Sequence, residues 1–550
     1  MVEALLESGG QEVAVADNGS HAGTPTECSP QISQLNINLT PIQEFYAGQS
    51  IFITGGTGFL GKLIIEKLLR SCSNLSVIYL LVRPKKGKST YERAEELFDD
   101  PLFERLKEEQ PKFRHKIVAI EGDCSVPNLG ISETDRMTLI NHVSIVFHVA
   151  ATLSFDEKIK LAVSINIQSL RDMISLSKKM SKLKSFVHVS TAYAYCTKKK
   201  IEEKLYTPPI DADRLVNLMS CVDDNIADKL TPQPAIVIST YLEPIKGWID
   251  NFYGPTGVAA GAGTGLLRSL HCDGSVHANV VPGDMVVNAL IASAYDVMEE
   301  YNHQKSEQTI PIYNYVSQDN TISYNQLKDM SAKYGVNYPT MRAIWYYGFT
   351  NNKYKIVHLF YIYFLHLLPA LLIDAATLCM GKRPRLLKVY KKIHRFMNVL
   401  NYFSTQQWSF TNQRLNSLVN RLDPRDKDLF FCDIKELDWN EYFKTYLVGI
   451  RVYLIKDPLD TLPQARIKWQ RLYWMHQFVK LVIFYLIIKF FWSLVTFMVR
   501  VAILCQSRRV RCKESPSYIG GDCRGTPTTP SALRSNFEWS LWIHGNRAQW

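Results

Sequence analysis

The stretch IFITGGTGFLGKLIIEKLLR, residues 51–70, decides the fold. A short run of β-branched and aromatic residues leads into a glycine-rich turn, and an amphipathic helix follows directly. Gly56, Gly58 and Gly61 have the spacing that lets a turn approach a pyrophosphate and lets the helix pack closely on the strand. The N-terminus of that helix would then face the anion. Strand, turn and helix in this order predict a dinucleotide-binding α/β fold.

Five further apolar runs follow, separated by segments long enough for helices. They are VIYLLV (77–82), KIVAIEGD (116–123), SIVFHVA (144–150), SFVHVS (185–190) and AIVIS (235–239). Nearly continuous apolar strands alternating with helices are typical of a parallel sheet covered on both faces. The sequence therefore predicts an α/β domain with a doubly wound Rossmann-type parallel sheet over residues 46–320.

Beyond Tyr324 the pattern turns helical, with long aromatic and basic stretches. It predicts a mostly helical C-terminal domain over residues 350–475. The run LVIFYLIIKFFWSLVTFMV (481–499) contains 13 Leu, Ile, Val or Phe residues. At roughly −0.3 to −0.6 kcal/mol each, they outweigh the cost of Lys489 and predict a hydrophobic membrane segment over residues 479–505.

A second apolar run, IVHLFYIYFLHLLPALLI (356–373), carries His358, His366 and Pro369. Its composition fits a helix buried in the protein, a helix lying in the membrane interface, or a span. The sequence leaves these alternatives open.

Composition restricts the function. The chain has 550 residues, is 46% hydrophobic and carries a formal net charge of +11. The basic residues are spread along loops and membrane flanks without a recognised nucleic-acid module, so no nucleic-acid partner is expected. Eleven cysteines without a CxxC pair support neither a metal site nor a disulfide framework. Residues 1–45 are predicted to be a disordered tail, and residues 506–550 an irregular tail to which no function is assigned.

The residues at the end of the second predicted strand indicate which nicotinamide cofactor the chain binds. An acidic residue there would hold the free ribose hydroxyls of NAD, but this chain has Arg83 followed by Lys85. Cations at this position favour the 2′-phosphate of NADPH, although a solvated basic loop is the alternative interpretation. Asp123, at the end of the third predicted strand, could accept a hydrogen bond from the adenine amino group, although Asp is also a common turn residue.

Several stretches together resemble the fatty acyl-CoA reductases, alcohol-forming enzymes of the extended short-chain dehydrogenase/reductase class. They are residues 45–70, FHVAATLSFDE (147–157), FVHVSTAYAYC (186–196), GWIDNFYGPTG (247–257) and the helical residues 368–393. The resemblance covers about residues 40–500. It implies reduction of long-chain acyl-CoA to primary alcohol with two NADPH. It also implies membrane lipid as a partner, at the endoplasmic reticulum or peroxisome, with the catalytic domain facing the cytosol.

The resemblance carries individual residues over. The cofactor turn corresponds to Thr54, Gly55, Gly56, Gly58, Phe59, Leu60 and Gly61. Ala150 and Ala151 match the segment that lines the nicotinamide ribose. Thr191 matches the hydroxyl residue that hydrogen-bonds the reacting carbonyl, and Ser190 is the neighbouring candidate. A strand-end hydroxyl that caps the backbone is the alternative for both.

One expected element is missing from the sequence. The family places a Tyr-x-x-x-Lys pair on the helix between its fifth and sixth strands, where the tyrosine acts as proton donor. Here CVDDNIADKL (221–230) is followed by Thr231 and Pro232 and then at once by the sixth strand, so the gap lies between Pro232 and Gln233. Skipping of an exon or a faulty gene model would produce such a loss.

Other pairs in the chain have the Tyr-x-x-x-Lys spacing, and chance explains them in a chain with 28 tyrosines. Among them are Tyr195/Lys199, Tyr301/Lys305 and Tyr324/Lys328. Three functional interpretations therefore stay open. The chain is an acyl-CoA reductase, or an impaired NADP-binding membrane protein that acts as a partner or regulator, or, less favoured, a member of the class that acts on sterols or sugar nucleotides.

Overall fold

The computed structural model describes residues 39–85, 87–152, 158–208, 210–221, 236–303 and 310–513. The strands are β1 Ser50–Thr54, β2 Val77–Val82, β3 Ile117–Glu121, β4 Ile145–His148, β5 Ser185–His188, β6 Lys200–Ile201, β7 Ile236–Ile238, β8 Ser269–His271, β9 Val280–Pro282, β10 Thr350–Asn352 and β11 Ser409–Phe410. The helices before β9 are α1 Pro41–Tyr46, α2 Phe59–Ser71, α3 Thr90–Leu97, α4 Glu104–Glu109, α5 Glu133–His142, α6 Ile159–Val163, α7 Ser169–Ser177, α8 Ala212–Cys221 and α9 Gly254–Gly263. The helices after β9 are α10 Gly283–His303, α11 Tyr324–Gly335, α12 Lys355–Tyr361, α13 Leu368–Cys379, α14 Leu386–Ser404, α15 Gln413–Arg421, α16 Pro424–Leu429, α17 Trp439–Gly449 and α18 Leu462–Lys513.

Five strands form one parallel sheet in the order β3-β2-β1-β4-β5. Side chains alternate between its two faces, so Ile51 and Ile53 enter one core while Phe52 enters the other. The first core includes residues of α1, α2 and α10, and the second includes residues of α5 and α7. Burial on both faces explains why the strands are almost continuously apolar. The predicted doubly wound fold is confirmed.

The sixth predicted strand has a different partner from the one expected. Residues 235–239 were predicted to join the main sheet, but β7 pairs in parallel with β9, Ile236 opposite Val280, in a separate two-stranded sheet. The backbone of β7 forms its strand-pairing hydrogen bonds with β9 and not with β5. The described five-stranded sheet therefore ends at β5. The residues that connect α8 to β7 lie outside the described part of the chain.

The helical part of the chain packs on β7 and β9 through α17. Tyr442, Phe443 and Tyr446 are buried in one core with residues of both strands. The Tyr442 hydroxyl lies 2.7 Å from Ser239 Oγ, and the Tyr446 hydroxyl donates a hydrogen bond of 3.1 Å to Thr256 Oγ1. Paired hydroxyls allow these polar groups to be buried at little cost.

Both predicted tails are wrong at their inner ends. Helix α1 begins at Pro41, inside the predicted tail 1–45, because Thr40 and Gln43 form a capping box and Ile42 and Tyr46 are fully buried. At the other end α18 continues to Lys513, past the predicted boundary at residue 506, because the apolar segment and the basic residues after it form one uninterrupted helix.

The chain divides into two compact units, Met1–Tyr473 and Trp474–Trp550. The sheet and the helical part up to α17 belong to the first unit, and α18 runs from the first unit into the second. Within the described residues, two helices are long and apolar enough to cross a membrane, Lys355–Cys379 and Leu459–Leu504. The first is continuous because a π-helical turn, Ile362–Leu367, joins α12 to α13.

Candidate active site

The glycine turn after β1 has the tight geometry that its sequence predicts. Gly55 has φ +73°, and a Cβ there would lie 2.6 Å from the backbone nitrogen of Ala150. A Cβ on Gly61 would lie 2.2 Å from the carbonyl oxygen of Gly55. A Cβ on Gly58 would meet only that same oxygen, at 3.2 Å, so its outer side is open. Gly58 is also the N-cap of α2 and offers no side-chain cap to the N–H groups of the first turn.

A buried polar network fixes the turn to the end of β4. The Thr54 hydroxyl lies 2.7 Å from His148 Nδ1 and accepts a hydrogen bond of 3.3 Å from the backbone N–H of Ala150. On the far side of the imidazole, Ser169 Oγ lies 3.3 Å from Nε2. Burial lowers the pKa of His148 to about 3, so the ring stays neutral. His148 is a candidate functional residue that the sequence interpretation missed, although a histidine inside the apolar run SIVFHVA was a usable signal.

The residues that were predicted to read the ribose and adenine lie at the ends of adjacent strands. Arg83 follows β2, Asp123 follows β3, and Arg83 Nε lies 3.9 Å from Asp123 Oδ2. The Arg83 side chain is 63% exposed. Asp123 also accepts a hydrogen bond of 2.8 Å from the backbone N–H of Ser125. This contact stabilises the turn, which is the role given above as the alternative to binding adenine.

A polar cleft opens beside the glycine turn. Its cationic lining residues are Lys62, Lys85, Lys88 and Arg93, and its other lining residues are Thr57, Glu96, Leu97 and Asp100. Lys62 pairs with Asp100 at 2.8 Å, and Lys88 pairs with Glu96. Arg93 donates a hydrogen bond to the carbonyl oxygen of Arg83. The cleft therefore brings Thr57 of the turn and Lys85 of the basic loop together around a space suited to an anion.

The predicted catalytic hydroxyls lie just beyond β5. Ser190 is exposed, and Thr191 is half-buried. Thr191 Oγ1 accepts a hydrogen bond of 3.2 Å from the backbone N–H of Tyr193, so it caps this turn. The nearby Tyr195 hydroxyl donates to the Tyr206 carbonyl at 2.9 Å and does not lie on a helix.

A large apolar cavity lies between β7, α9, α11 and the end of α17. It holds about 1560 Å³ of empty space, part of which is open solvent. Among its lining residues are Ile236, Val258, Ala259, Leu327, Ala332, Leu447 and Ile450. Tyr324 and Lys328 also line it, from one face of α11. This cavity is not predictable from the sequence, because its walls come from segments far apart in the chain.

The cavity is connected to the glycine turn through a shared hydrophobic core. A Cβ on Gly283, which directly follows β9, would lie 2.9 Å from the Phe59 ring. Phe59 and Leu60 pack in the same core as β7 and β9, and Ile236 of β7 lines the cavity. Two of the predicted cofactor residues therefore connect the turn to the cavity wall.

The loop that leaves β7 is anchored directly to α2. Glu243 pairs with Lys67 and, at 2.8 Å, with Arg70. Asp284 accepts hydrogen bonds from the backbone N–H groups of residues 241–243, at 2.8, 2.7 and 3.1 Å. Burial raises the pKa of Asp284 to about 6. These contacts tie the loop after β7 to α2 and to the start of α10.

The position of the missing helix, between Pro232 and Gln233, lies outside the described residues. Within the described part of the chain, no group of three or more His, Cys, Asp or Glu side chains could hold a metal ion.

Comparisons with known proteins give the family. Two family models, both described as male sterility protein, match the chain. The NAD-binding model matches residues 53–233 and 230–290, and the Sterile model matches residues 365–457. The NAD-binding match is thus split at residues 230–233.

Individual relatives agree with the family models. The chain is 40% identical over 480 residues to "Fatty acyl-CoA reductase wat" of Drosophila melanogaster, a match covering 81% of this chain and 92% of that protein. It is 35% identical to "Fatty acyl-CoA reductase 1" of Homo sapiens, over 78% of this chain and 89% of that protein. A solved reductase domain of a nonribosomal peptide synthetase from Mycobacterium tuberculosis aligns with a TM-score of 0.48 and 17% identity, over 75% of this chain and 92% of that one. The chain belongs to the fatty acyl-CoA reductase family of oxidoreductases.

Proposed function

We propose that this chain has the fold of an NADPH-dependent enzyme that reduces long-chain fatty acyl-CoA to primary fatty alcohol. The observation that carries the proposal is the apolar cavity, which Ile236 of β7 lines and which shares a core with Phe59 and Leu60 of the glycine turn. A cavity of this size lined by small and aliphatic side chains suits a long acyl chain. The polar cleft beside the glycine turn suits a phosphorylated cofactor.

The glycine turn fits a dinucleotide. The open side of Gly58 is a cradle that a Cβ would fill, and the uncapped N–H groups of α2 favour a pyrophosphate. In this proposal Thr54, Gly55, Gly56, Phe59, Leu60 and Gly61 shape the turn, and Ala150 and Ala151 line the nicotinamide ribose. Arg83 and Lys85 hold the 2′-phosphate, and Asp123 accepts from adenine. When bound, the cofactor supplies hydride to the acyl carbon.

The chain's own residues would position the carbonyl. Thr191, with Ser190 as the neighbouring candidate, donates its hydroxyl proton in a hydrogen bond to the reacting oxygen, while its oxygen keeps the hydrogen bond from the Tyr193 N–H. The acyl chain lies in the cavity between α9 and α11. The neutral His148 orients Thr54 and keeps the turn in place.

A second candidate function is supported by the split family match. Its two parts meet at residues 230–233, where the Tyr-x-x-x-Lys helix is expected. Loss of a general acid reduces a rate by about 10²–10⁴-fold. This chain is then an impaired NADP-binding membrane protein, a shortened form that acts as a partner or regulator of the intact enzyme.

Membrane association, at the endoplasmic reticulum or peroxisome with the reductase part facing the cytosol, belongs to the same proposal. The apolar segment 479–505 within α18 supports it, since its large side chains are exposed. The division into a reductase domain (46–320) and a helical domain (350–475) is likewise proposed, and the two family models that match different parts of the chain support it.

Binding tests the proposal without requiring turnover. We expect the chain in detergent to bind NADPH and stearoyl-CoA. Ala332→Phe, which places a ring in the cavity, should weaken binding of stearoyl-CoA at least tenfold and leave NADPH binding unchanged. Lys333→Phe, on the exposed side of the same helix, is the matched control. Unchanged stearoyl-CoA binding in Ala332→Phe would contradict the cavity as the acyl site.

A further inference from the structure

The helix Lys355–Cys379 exposes an apolar face along its whole length. Only 17% of its most apolar stretch is buried. Ile356 near its start is 83% exposed, Leu372 is 63% exposed, and Leu378 near its end is 64% exposed. Such a continuous exposed apolar surface marks an interaction site.

The opposite face of this helix is bound to the protein by polar contacts. His358 Nδ1 lies 2.8 Å from Ser269 Oγ on β8. The backbone N–H of Arg268 donates a hydrogen bond of 2.9 Å to His366 Nε2. Asp374 is buried as well and accepts from the backbone N–H groups of residues 385–387 at 3.1, 3.0 and 2.9 Å, which caps the start of α14.

These contacts argue against a transmembrane course for this segment. His358, His366 and Asp374 are spaced eight residues apart and lie on one helix face, which packs on β8 and α14. If the helix crossed the bilayer, these polar side chains would lose their hydrogen-bond partners, and lipid hydrocarbon offers no replacements. The chain also returns on the same side, because Ser404 at the end of α14 donates a hydrogen bond of 2.9 Å to the carbonyl oxygen of His271 on β8.

A basic cluster adjoins the apolar face. Its seven exposed residues are Lys382, Arg383, Arg385, Lys388, Lys391, Lys392 and Arg395. The sequence contains no Asp or Glu between Asp374 and Asp423. An apolar helix face beside Lys and Arg residues matches a bilayer surface that carries anionic headgroups.

We propose that Lys355–Cys379 docks in the plane of an anionic membrane leaflet. Its apolar face enters the boundary between headgroups and acyl chains, and the basic cluster contacts lipid phosphates. The cavity residue Leu270 lies on β8, the strand to which this helix is bound, so docking would hold the proposed acyl site at the membrane surface. The docking inference itself stands independently of the reaction.

Depth measurements on the full chain test this proposal. Because α18 can hold the chain on vesicles by itself, bulk binding is uninformative. A fluorescent amino acid is placed singly at Ile356, Leu368 or Leu378, with Leu218 on α8 as the exposed control. The chain is reconstituted into vesicles of phosphatidylcholine and phosphatidylserine that carry a nitroxide quencher at a shallow or a deep position.

We expect the shallow quencher to act more strongly than the deep one at all three helix positions and neither to act at Leu218. Strong deep quenching at Leu368, with shallow quenching at the two ends, would indicate a span and overturn the proposal. Absence of lipid quenching at all three positions would indicate that protein covers the face, and would also overturn it.

A separate variant tests the role of the basic cluster. Lys388→Gln, Lys391→Gln and Lys392→Gln together should abolish the dependence of shallow quenching on phosphatidylserine. The matched control neutralises the exposed Lys178, Lys179 and Lys182, which follow α7. Equal phosphatidylserine dependence in both triple variants would overturn the role of the basic cluster.

Discussion

Single residues of the cofactor turn differ in what they tolerate. Gly55 has a positive φ and touches backbone, so a side chain there damages the fold itself. A Cβ on Gly58 would meet one atom, the Gly55 carbonyl oxygen at 3.2 Å, which a small backbone shift relieves. Gly58→Ala should therefore weaken NADPH binding by about tenfold or more, at least 1.4 kcal/mol, and lower the unfolding temperature much less than Gly55→Ala does. Titration calorimetry and thermal unfolding measure the two quantities, and an unfolding temperature lowered as much as in Gly55→Ala would show that the effect is structural.

Arg83 is the residue proposed to distinguish NADPH from NADH. Loss of one charge-assisted hydrogen bond costs about 1.5–3 kcal/mol. Arg83→Ala should thus weaken NADPH binding by roughly 10- to 100-fold and leave NADH binding unchanged. Arg105→Ala, which removes an exposed cation paired with Glu109, is the control. If Arg83→Ala affected NADH and NADPH equally, Arg83 would not read the 2′-phosphate.

His148 should make the reductase part sensitive to acid. Its folded pKa is about 3, whereas the unfolded chain titrates near 6.5. Between these values the unfolded state binds more protons, so the free energy of unfolding falls as pH falls, by up to about 1.4 kcal/mol per pH unit. Thermal unfolding between pH 7 and 5 should therefore show a smaller loss in His148→Asn than in the unchanged chain. His142→Asn, at an exposed position, should behave like the unchanged chain; the same slope in all three would contradict this role.

At the scale of elements, one buried charge cluster joins β7 to the cofactor helix. Lys67 and Arg70 of α2 are both buried and share Glu243 from the loop after β7. Glu243→Gln would leave buried cations without their common partner and should destabilise the chain by about 3–5 kcal/mol. Glu109→Gln, which breaks an exposed pair with Arg105, should cost at most about 1 kcal/mol. Denaturant unfolding followed by near-ultraviolet circular dichroism compares the two, and equal losses would contradict the anchoring role.

The sequence predicted elements well where local pattern decides them. VIYLLV is β2 residue for residue, and the runs for β1, β3, β4 and β5 each contain their strand almost entirely. Strand pairing depends on residues far apart in the sequence, so the pairing of β7 with β9 was not predictable from AIVIS alone. Helix α1 was missed because its capping box T-P-I-Q sits at the edge of a polar tail. The cavity and the His148 network escaped because their members meet only in the folded chain.

For the whole molecule, the central question is how the proposed cofactor and acyl sites can form in a chain whose sequence lacks the expected proton donor. The glycine turn, the basic loop and the cavity all come from segments on either side of Pro232, and Glu243 and Asp284 tie the loop after β7 to α2 and α10. We therefore expect binding to survive while turnover is slowed by about 10²–10⁴-fold.

The most direct measurement compares fatty alcohol formation by this chain and by a version with a Tyr-x-x-x-Lys helix inserted after Pro232, both expressed in microsomes. An insert with Phe in place of its Tyr is the matched control. The account predicts NADPH binding by all three and alcohol from the Tyr insert about 10²–10⁴-fold faster than from the other two. Equal alcohol formation by the unchanged chain would contradict the claim that its donor is missing, and no alcohol from any version despite bound NADPH would contradict the assignment of acyl-CoA as substrate.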